Sequence, residues 1–291
     1  MNKIRNLVLI PNTTKNIDPQ LITNFVDHLC TLKCKIGVFT ENMEDLAYLE
    51  DRIYEIKNVD ALAQCHAAVV LGGDGSIIDA SNKLLDVELP IIGINFGHVG
   101  YLAELEISEI EMLDALVEGN YTIDERMMLD AEVINRSGKV RASSTVLNDI
   151  VLSNGPVARL LTFDIYCGTV KIQTCRADGI IVSTPTGSTA YSLSAGGPVL
   201  EPSLDCLCLT PICPHTLTSR PVIFRGDSEI RLSDIRSKGS SVYVTADGRD
   251  VIALNEGDTV SIKRSEHTAK LIRIKDNGFL GVLHSKLSET Q

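Results

Sequence analysis

Short aliphatic runs recur through the first third of the chain. Residues 4–10, 36–39, 67–71 and 90–95 each have the length and composition of a strand buried on both faces. After the first run, Asp18-Pro19 places an N-cap and an N1 proline ahead of Leu21, Ile22, Phe25, Val26 and Leu29, which recur at helical spacing. Strands alternating with helices predict a parallel α/β sheet. From Tyr121 onward strand-like stretches separated by turns take over: 129–134, 141–152, 161–167, 170–175 and 180–183, with turns at Ser137-Gly138 and Gly168. Residues 207–217 and 220–224 continue the series, and Asp247-Gly248 reads as a hairpin turn. This second region is expected to be β-rich. The tail is partly aliphatic, with a helix expected over 279–287, and suits packing on either domain.

Two of the early strands end in glycine. The stretch AAVVLGGDGS runs from Ala67 to Ser76, and GINFGHVGYL carries Gly93, Gly97 and Gly100. Open α/β sheets bind ligands at the carboxyl ends of their strands. Gly72, Gly73 and Gly75 let backbone amides approach a phosphate near a helix N-terminus. Asp74 sits among them, and a carboxylate there needs a proton, a metal or a hydroxyl to bind. Ser76-x-x-Asp79 and Ser108-x-x-Glu111 read as capping boxes, the second for a helix ending at Gly119. His98 lies in the second glycine turn, where a solvated side chain is as good a reading as a ligand.

Further on, Asn148-Asp149 interrupts the apolar run TVLNDIVL, where two polar side chains are costly to bury without polar company. Eight hydroxyl side chains crowd residues 183–194, seven of them within the run TPTGSTAYSLSAGGP. Ser188 or Thr189 could cap a short helix there, and such a run suits a polyhydroxylated, phosphorylated ligand.

Composition narrows the choice of partner. The net charge is −11, and no Lys/Arg cluster exists to track a nucleic-acid backbone, so no nucleic acid is expected. No apolar run approaches the ~20 residues of a membrane span, and the N-terminus lacks a signal-peptide core, so no membrane is expected either. With no Trp the core must be aliphatic. The eight cysteines include no CxxC pair and are expected as free thiols in the cytoplasm.

Taken together, these motifs resemble the NAD kinase family. GGDGS at 72–76, Asn148-Asp149, the run from Asp178 to Pro198, PICPHTL-x-x-RP at 211–221 and GIN-x-G-x-x-GYL at 93–102 follow the family's order. GGDG alone is shared with phosphofructokinases and lipid kinases, whereas the 178–198 run is specific. The resemblance implies phosphorylation of the adenosine-ribose 2′-hydroxyl of NAD to give NADP. ATP or polyphosphate would be the donor, with a divalent metal, Mg²⁺, carried with ATP. It implies an α/β domain (1–122), a β-rich NAD-binding domain (123–265) and a tail (266–291) packing back on the first, in a homodimer or homotetramer.

By the same resemblance Asp74 is the catalytic base, with Gly72, Gly73 and Gly75 forming the phosphate loop. Asp74, Gly75, Asn148, Asp149, Arg159, Arg176, Asp178 and the run Thr189, Ala190, Tyr191, Ser192, Leu193 and Ser194 would bind NAD. Asp79 departs from the family, which often has a basic residue there, and the capping box offers it a structural role. The alternatives are a related GGDG kinase of a sugar phosphate or lipid, and a non-catalytic NAD-binding sensor.

Overall fold

The computed structural model describes residues 3–12, 17–97, 100–155, 160–216, 219–237, 239, 241–275 and 279–288. The chain divides into two units, Met1–Glu125 with Ala269–Gln291, and Arg126–Thr268.

Unit 1 is built on the strands β1 (Asn6–Pro11), β2 (Lys35–Phe39), β3 (Ile53–Ile56), β4 (Ala67–Leu71) and β5 (Ile91–Asn95). They pair in parallel in the order β5-β4-β1-β2-β3. Every residue of β4 and β5 is buried; β4 is wholly aliphatic, and β5 carries Gly93 and a buried Asn95 among its isoleucines. Helices α1 (Pro19–Thr31) and α2 (Val59–Ala63) are crossovers between these strands, and α3 (Asp74–Lys83) links β4 to β5. Asp18 caps α1 by accepting the Gln20 amide, with Pro19 at its first position. β3 and α2 were not legible in the sequence, because IYEI is only half apolar and α2 is barely more than one turn. The strand β6 (Leu105–Glu106) precedes a 3-10 segment over Ile107–Leu113 and α4 (Asp114–Glu118), which ends at left-handed Gly119. The capping box there uses Glu106 and Glu109, not Ser108 and Glu111.

Unit 2 is antiparallel. The strands β7 (Thr122–Ile134) and β8 (Val140–Val146) form a hairpin, and β9 (Asp149–Asn154), β10 (Leu161–Cys167), β11 (Val170–Ala177) and β12 (Gly179–Ser183) follow. After the one-turn helix α5 (Tyr191–Ser194) come β13 (Cys206–Ile212), β14 (Val222–Arg225), β15 (Ile230–Ser237), β16 (Val242–Ala246), β17 (Asp250–Ala253) and the long β18 (Thr259–Arg273). One sheet has the order β14-β13-β12-β9-β16-β17; the other contains β11-β10-β15-β18, with β7 pairing β18. Leu152, Ile180, Val182, Phe163, Ile165 and Val260 are among the residues of the single apolar core that both sheets share. Residues 141–152 are two strands rather than one, because Leu147 and Asn148 carry the chain from the first sheet into the second. In unit 1, Leu271 of β18 pairs with Ile91 of β5, and α6 (Phe279–Ser288) closes the described chain.

Candidate active site

In unit 1 two adjacent parallel strands, β4 and β5, present their carboxyl ends on one edge. Beyond Leu71 the chain turns through Gly72 and Gly73 into α3, whose first residue is Asp74. Gly72 donates its amide to the Ile94 carbonyl at 2.8 Å, so this glycine's N–H serves the sheet and does not face a phosphate. A Cβ at Gly73 or Gly75 would meet nothing within 4 Å, which leaves that side open to a ligand. The first amides of α3 have no partner inside the helix and carry the positive end of its dipole.

Asp74 turns its carboxylate onto the second glycine segment. Its Oδ2 accepts the Tyr101 amide at 2.8 Å and its Oδ1 the Leu102 amide at 3.0 Å. Gly100 permits this approach, since a Cβ there would lie 1.9 Å from Oδ1. Two charge-assisted bonds from backbone fix the carboxylate, and its remaining lone pairs can still accept a hydroxyl proton.

Ser76 does not cap α3. The N-cap is Gly73, and the Ser76 hydroxyl, one turn into the helix, accepts a bond from Asn12 Nδ2 at 2.7 Å. The capping box expected of Ser76 and Asp79 is therefore incorrect: the helix starts three residues earlier than the apolar pattern implies. Asp79 is exposed on α3.

Unit 2 brings Asn148, Asp149, Ala190, Tyr191, Thr245 and Asp247 around a cavity of about 410 Å³. Asp247 organises one wall. It sits at the tip of the β16–β17 hairpin with φ 47°, followed by Gly248 at φ 71°, the two left-handed residues of a tight hairpin turn. Its carboxylate accepts the amides of Leu147, Asn148 and Asp149 at 2.9, 2.8 and 3.1 Å. The segment that changes sheets, whose amides have no ladder partner there, is thus satisfied by one side chain. Thr184 binds the same segment from the other side, its amide to Asn148 O at 2.9 Å and its hydroxyl to Leu147 O at 2.6 Å.

Asp149 is 5% exposed, and burial, with the adjacent Asp247 charge, pushes its carboxyl up from 3.8 to about 7. Between those values the folded chain holds a proton that the unfolded chain has released, so stability falls as pH rises through that window. Asp149→Asn removes the buried charge. It should raise Tm at about pH 8 and leave it nearly unchanged at about pH 5, where the native carboxyl is already neutral. Melting curves at the two pH values check this, and equal shifts at both would refute it.

Most of the hydroxyl-rich run faces inward. Thr186 accepts Arg126 Nη1 at 3.2 Å, Ser188 donates to Pro185 O at 2.6 Å and accepts Leu200 N at 2.9 Å, and Thr189 donates to Thr186 O at 3.2 Å. Ser192, fully buried, pairs with Thr210 Oγ1 at 2.9 Å, which makes it a prop beneath α5. The N-cap of α5 is Ala190, which makes no side-chain bond, so neither Ser188 nor Thr189 caps a helix. Tyr191, Leu193 and Ser194 are exposed, but only Ala190 and Tyr191 of this run line the cavity.

Asp178 is half-buried, with its amide on Ile212 O, and Arg176 is exposed on β11; neither lines the cavity. Arg159 and His98 lie outside the described residues. Thr245 and Val151 line the cavity without a sequence signal, since only the β9–β16 register makes them neighbours.

Both parts of the chain match known proteins. The ATP-NAD kinase N-terminal domain matches residues 9–121, and the ATP-NAD kinase C-terminal domain matches residues 147–274. An NAD kinase of Moorella thermoacetica is 38% identical over 287 residues, 98% of this chain and 90% of the relative. One of Symbiobacterium thermophilum is 45% identical over 223 residues, 76% of this chain and 78% of the relative. Among solved structures, yeast NADH kinase complexed with NADH has a TM-score of 0.89 at 23% identity, covering 99% of this chain and 88% of that one. An NAD kinase from Archaeoglobus fulgidus in complex with ATP has a TM-score of 0.71 at 24% identity, covering 96% and 97%. At such identities these two speak to the fold alone. Two domain matches in sequence order, and a relative 38% identical along nearly the whole length, place the chain in the ATP-NAD kinase family.

Proposed function

We propose that the chain transfers the γ-phosphoryl group of ATP to the 2′-hydroxyl of the adenosine ribose of NAD, with Asp74 accepting the hydroxyl proton. Phosphorylation of NAD to NADP is the activity of the family to which the chain belongs. In the proposed step the 2′-oxygen forms a bond to the γ-phosphorus, the bond from that phosphorus to the β–γ bridging oxygen breaks, and ADP leaves. Phosphoryl transfer asks the protein chiefly for positioning and charge stabilisation. The observation that carries the assignment is the Asp74 carboxylate, held by two backbone amides at the mouth of a helix N-terminus.

Asn148 and Asp149 would engage the base and ribose in the unit 2 cavity, with Ala190 and Tyr191 beside them. Gly73 and Gly75 would lie against phosphate oxygens. Arg176, Asp178, Leu193 and Ser194 remain proposed contacts to more distant parts of the ligand. Among the described residues no group of three His, Cys, Asp or Glu side chains is placed to hold a metal. A Mg²⁺ ion carried with the nucleotide would supply charge neutralisation at the phosphates.

The described cysteines are free thiols, which favours a reducing cytoplasm, and no helix of the described residues is long and apolar enough to cross a membrane. Assembly as a homodimer or homotetramer is the family's implication, and the sedimentation mass of the pure chain reads it. To test the reaction, the purified chain is incubated with NAD, Mg²⁺ and either ATP or polyphosphate, and NADP is measured. NADP formation with ATP is the expected result. Binding of NAD with no NADP from either donor would overturn the assignment in favour of a sensor.

A further inference from the structure

The carboxylate of Asp74 is only as well placed as the two amides that hold it, and the Leu102 amide is held in turn by the end of the chain. Arg273, the last residue of β18, donates from Nη1 to the Leu102 carbonyl at 3.1 Å and to Glu104 Oε2 at 3.2 Å, and from Nε to Asp124 Oδ2 at 3.1 Å. Leu102 is therefore bound from both sides, its carbonyl to the Arg273 guanidinium and its amide to Asp74. Glu104, 8% exposed, completes the clamp: its Oε1 accepts the amides of Ile274 and Lys275 at 2.8 and 2.6 Å. Glu104 is itself anchored beside β5, its amide on Gly93 O at 2.9 Å.

We infer that Arg273, oriented by Glu104, is a positioning residue for phosphoryl transfer: it fixes Leu102 and thereby the direction in which Asp74 presents its carboxylate. The inference rests on Asp74 being the proton acceptor. Several features set this cluster apart from an ordinary structural ion pair. The guanidinium donates one of its bonds to a backbone carbonyl two residues past Gly100, and Leu102 is buried, so losing that bond would leave a buried acceptor unpaired. A planar fork with five donors serves three acceptors of fixed geometry, which an ammonium cannot do equally well. The contact also explains why this part of the chain, remote in sequence from the glycine turns, bears on the chemistry: the C-terminal end of β18 acts on the reacting group through one residue.

The test is steady-state NADP formation by the full chain carrying Arg273→Met, Arg273→Lys, Glu104→Gln, Asp74→Asn, or Arg273→Met together with Asp74→Asn, with Tm measured for each. If Arg273 acts through Asp74, Arg273→Met lowers kcat by about 10- to 100-fold while KM for NAD and ATP changes by less than about threefold. Arg273→Lys should recover part of the loss. Glu104→Gln keeps the Oε1 acceptor but turns an amide toward the guanidinium, and should reproduce a milder kcat defect even where Arg273→Met folds poorly. In the Asp74→Asn background Arg273→Met should cost little further, because the group it positions is already gone. A kcat loss of equal size in both backgrounds, or one that merely follows Tm, would overturn the positioning role. If Asp74→Asn alone leaves kcat unchanged, it is the proton-acceptor assignment that fails, and the inference falls with it; a large Asp74→Asn loss with unaffected Arg273 and Glu104 variants refutes the inference alone.

Discussion

Asp74→Asn is expected to lower kcat for NADP formation by about 10²–10⁴-fold, the range lost when a positioned general base is removed. The substitution is nearly isosteric, so the glycine turns need not move. It removes the ability to take a proton and puts an amide NH₂ opposite either the Tyr101 or the Leu102 amide, both of which the native carboxylate satisfies. That donor–donor contact costs about 1–3 kcal/mol of local stability, so Tm should fall modestly while turnover falls steeply. Steady-state kinetics with a melting curve separate the two effects. A kcat within threefold of the native chain would sink the role of Asp74.

Gly187→Ala should be the most damaging change in unit 2. An added Cβ would stand 2.1 Å from the Asn148 carbonyl oxygen, 2.5 Å from its carbon and 2.7 Å from its Cα. These are backbone atoms, and they cannot yield easily, because Asp247 holds the Asn148 amide and Thr184 binds the Asn148 carbonyl. Overpacking of this kind costs on the order of 1–3 kcal/mol or more, enough to lower Tm by several degrees. It should also weaken NAD binding at least about tenfold, since Asn148 and Asp149 must shift with the clash. Thermal melting and an NAD titration check both. An unchanged Tm with native affinity would overturn the close-packing role of Gly187.

The glycines show what a sequence carries and what it withholds. GGDGS announces a tight turn before a helix, but which glycine is needed for what depends on neighbours far along the chain. Gly72 is closed in by Ser76 and Asn12, Gly100 by Asp74, and Gly187 by Asn148. Only the first looks, from sequence, like part of a turn beside a carboxylate. The capping boxes misled for a related reason. A Ser-x-x-acid spacing is necessary for the motif but does not exclude an earlier start, and at α3 the glycines begin the helix at Asp74. The hydroxyl-rich run misled in the opposite direction. Its crowding suggested a ligand surface, whereas much of it is consumed in bracing the turn after β12.

By itself, the sequence determined the elements whose physical causes are local. Short, mostly aliphatic runs made the buried parallel strands β1, β2, β4 and β5, Asp18-Pro19 started α1, and Asp247-Gly248 closed a hairpin. Its motifs also sufficed to recognise the family. The tertiary structure alone decided how polar groups are satisfied. Three amides at the sheet-switching segment find the carboxylate of Asp247 about a hundred residues away, and Asp74 finds two amides past the next strand. Periodicity reports which face of an element is buried, because burial acts on each residue separately. A hydrogen-bond partner depends on where two distant backbones meet, and for Leu102 that meeting is with Arg273 at the end of β18.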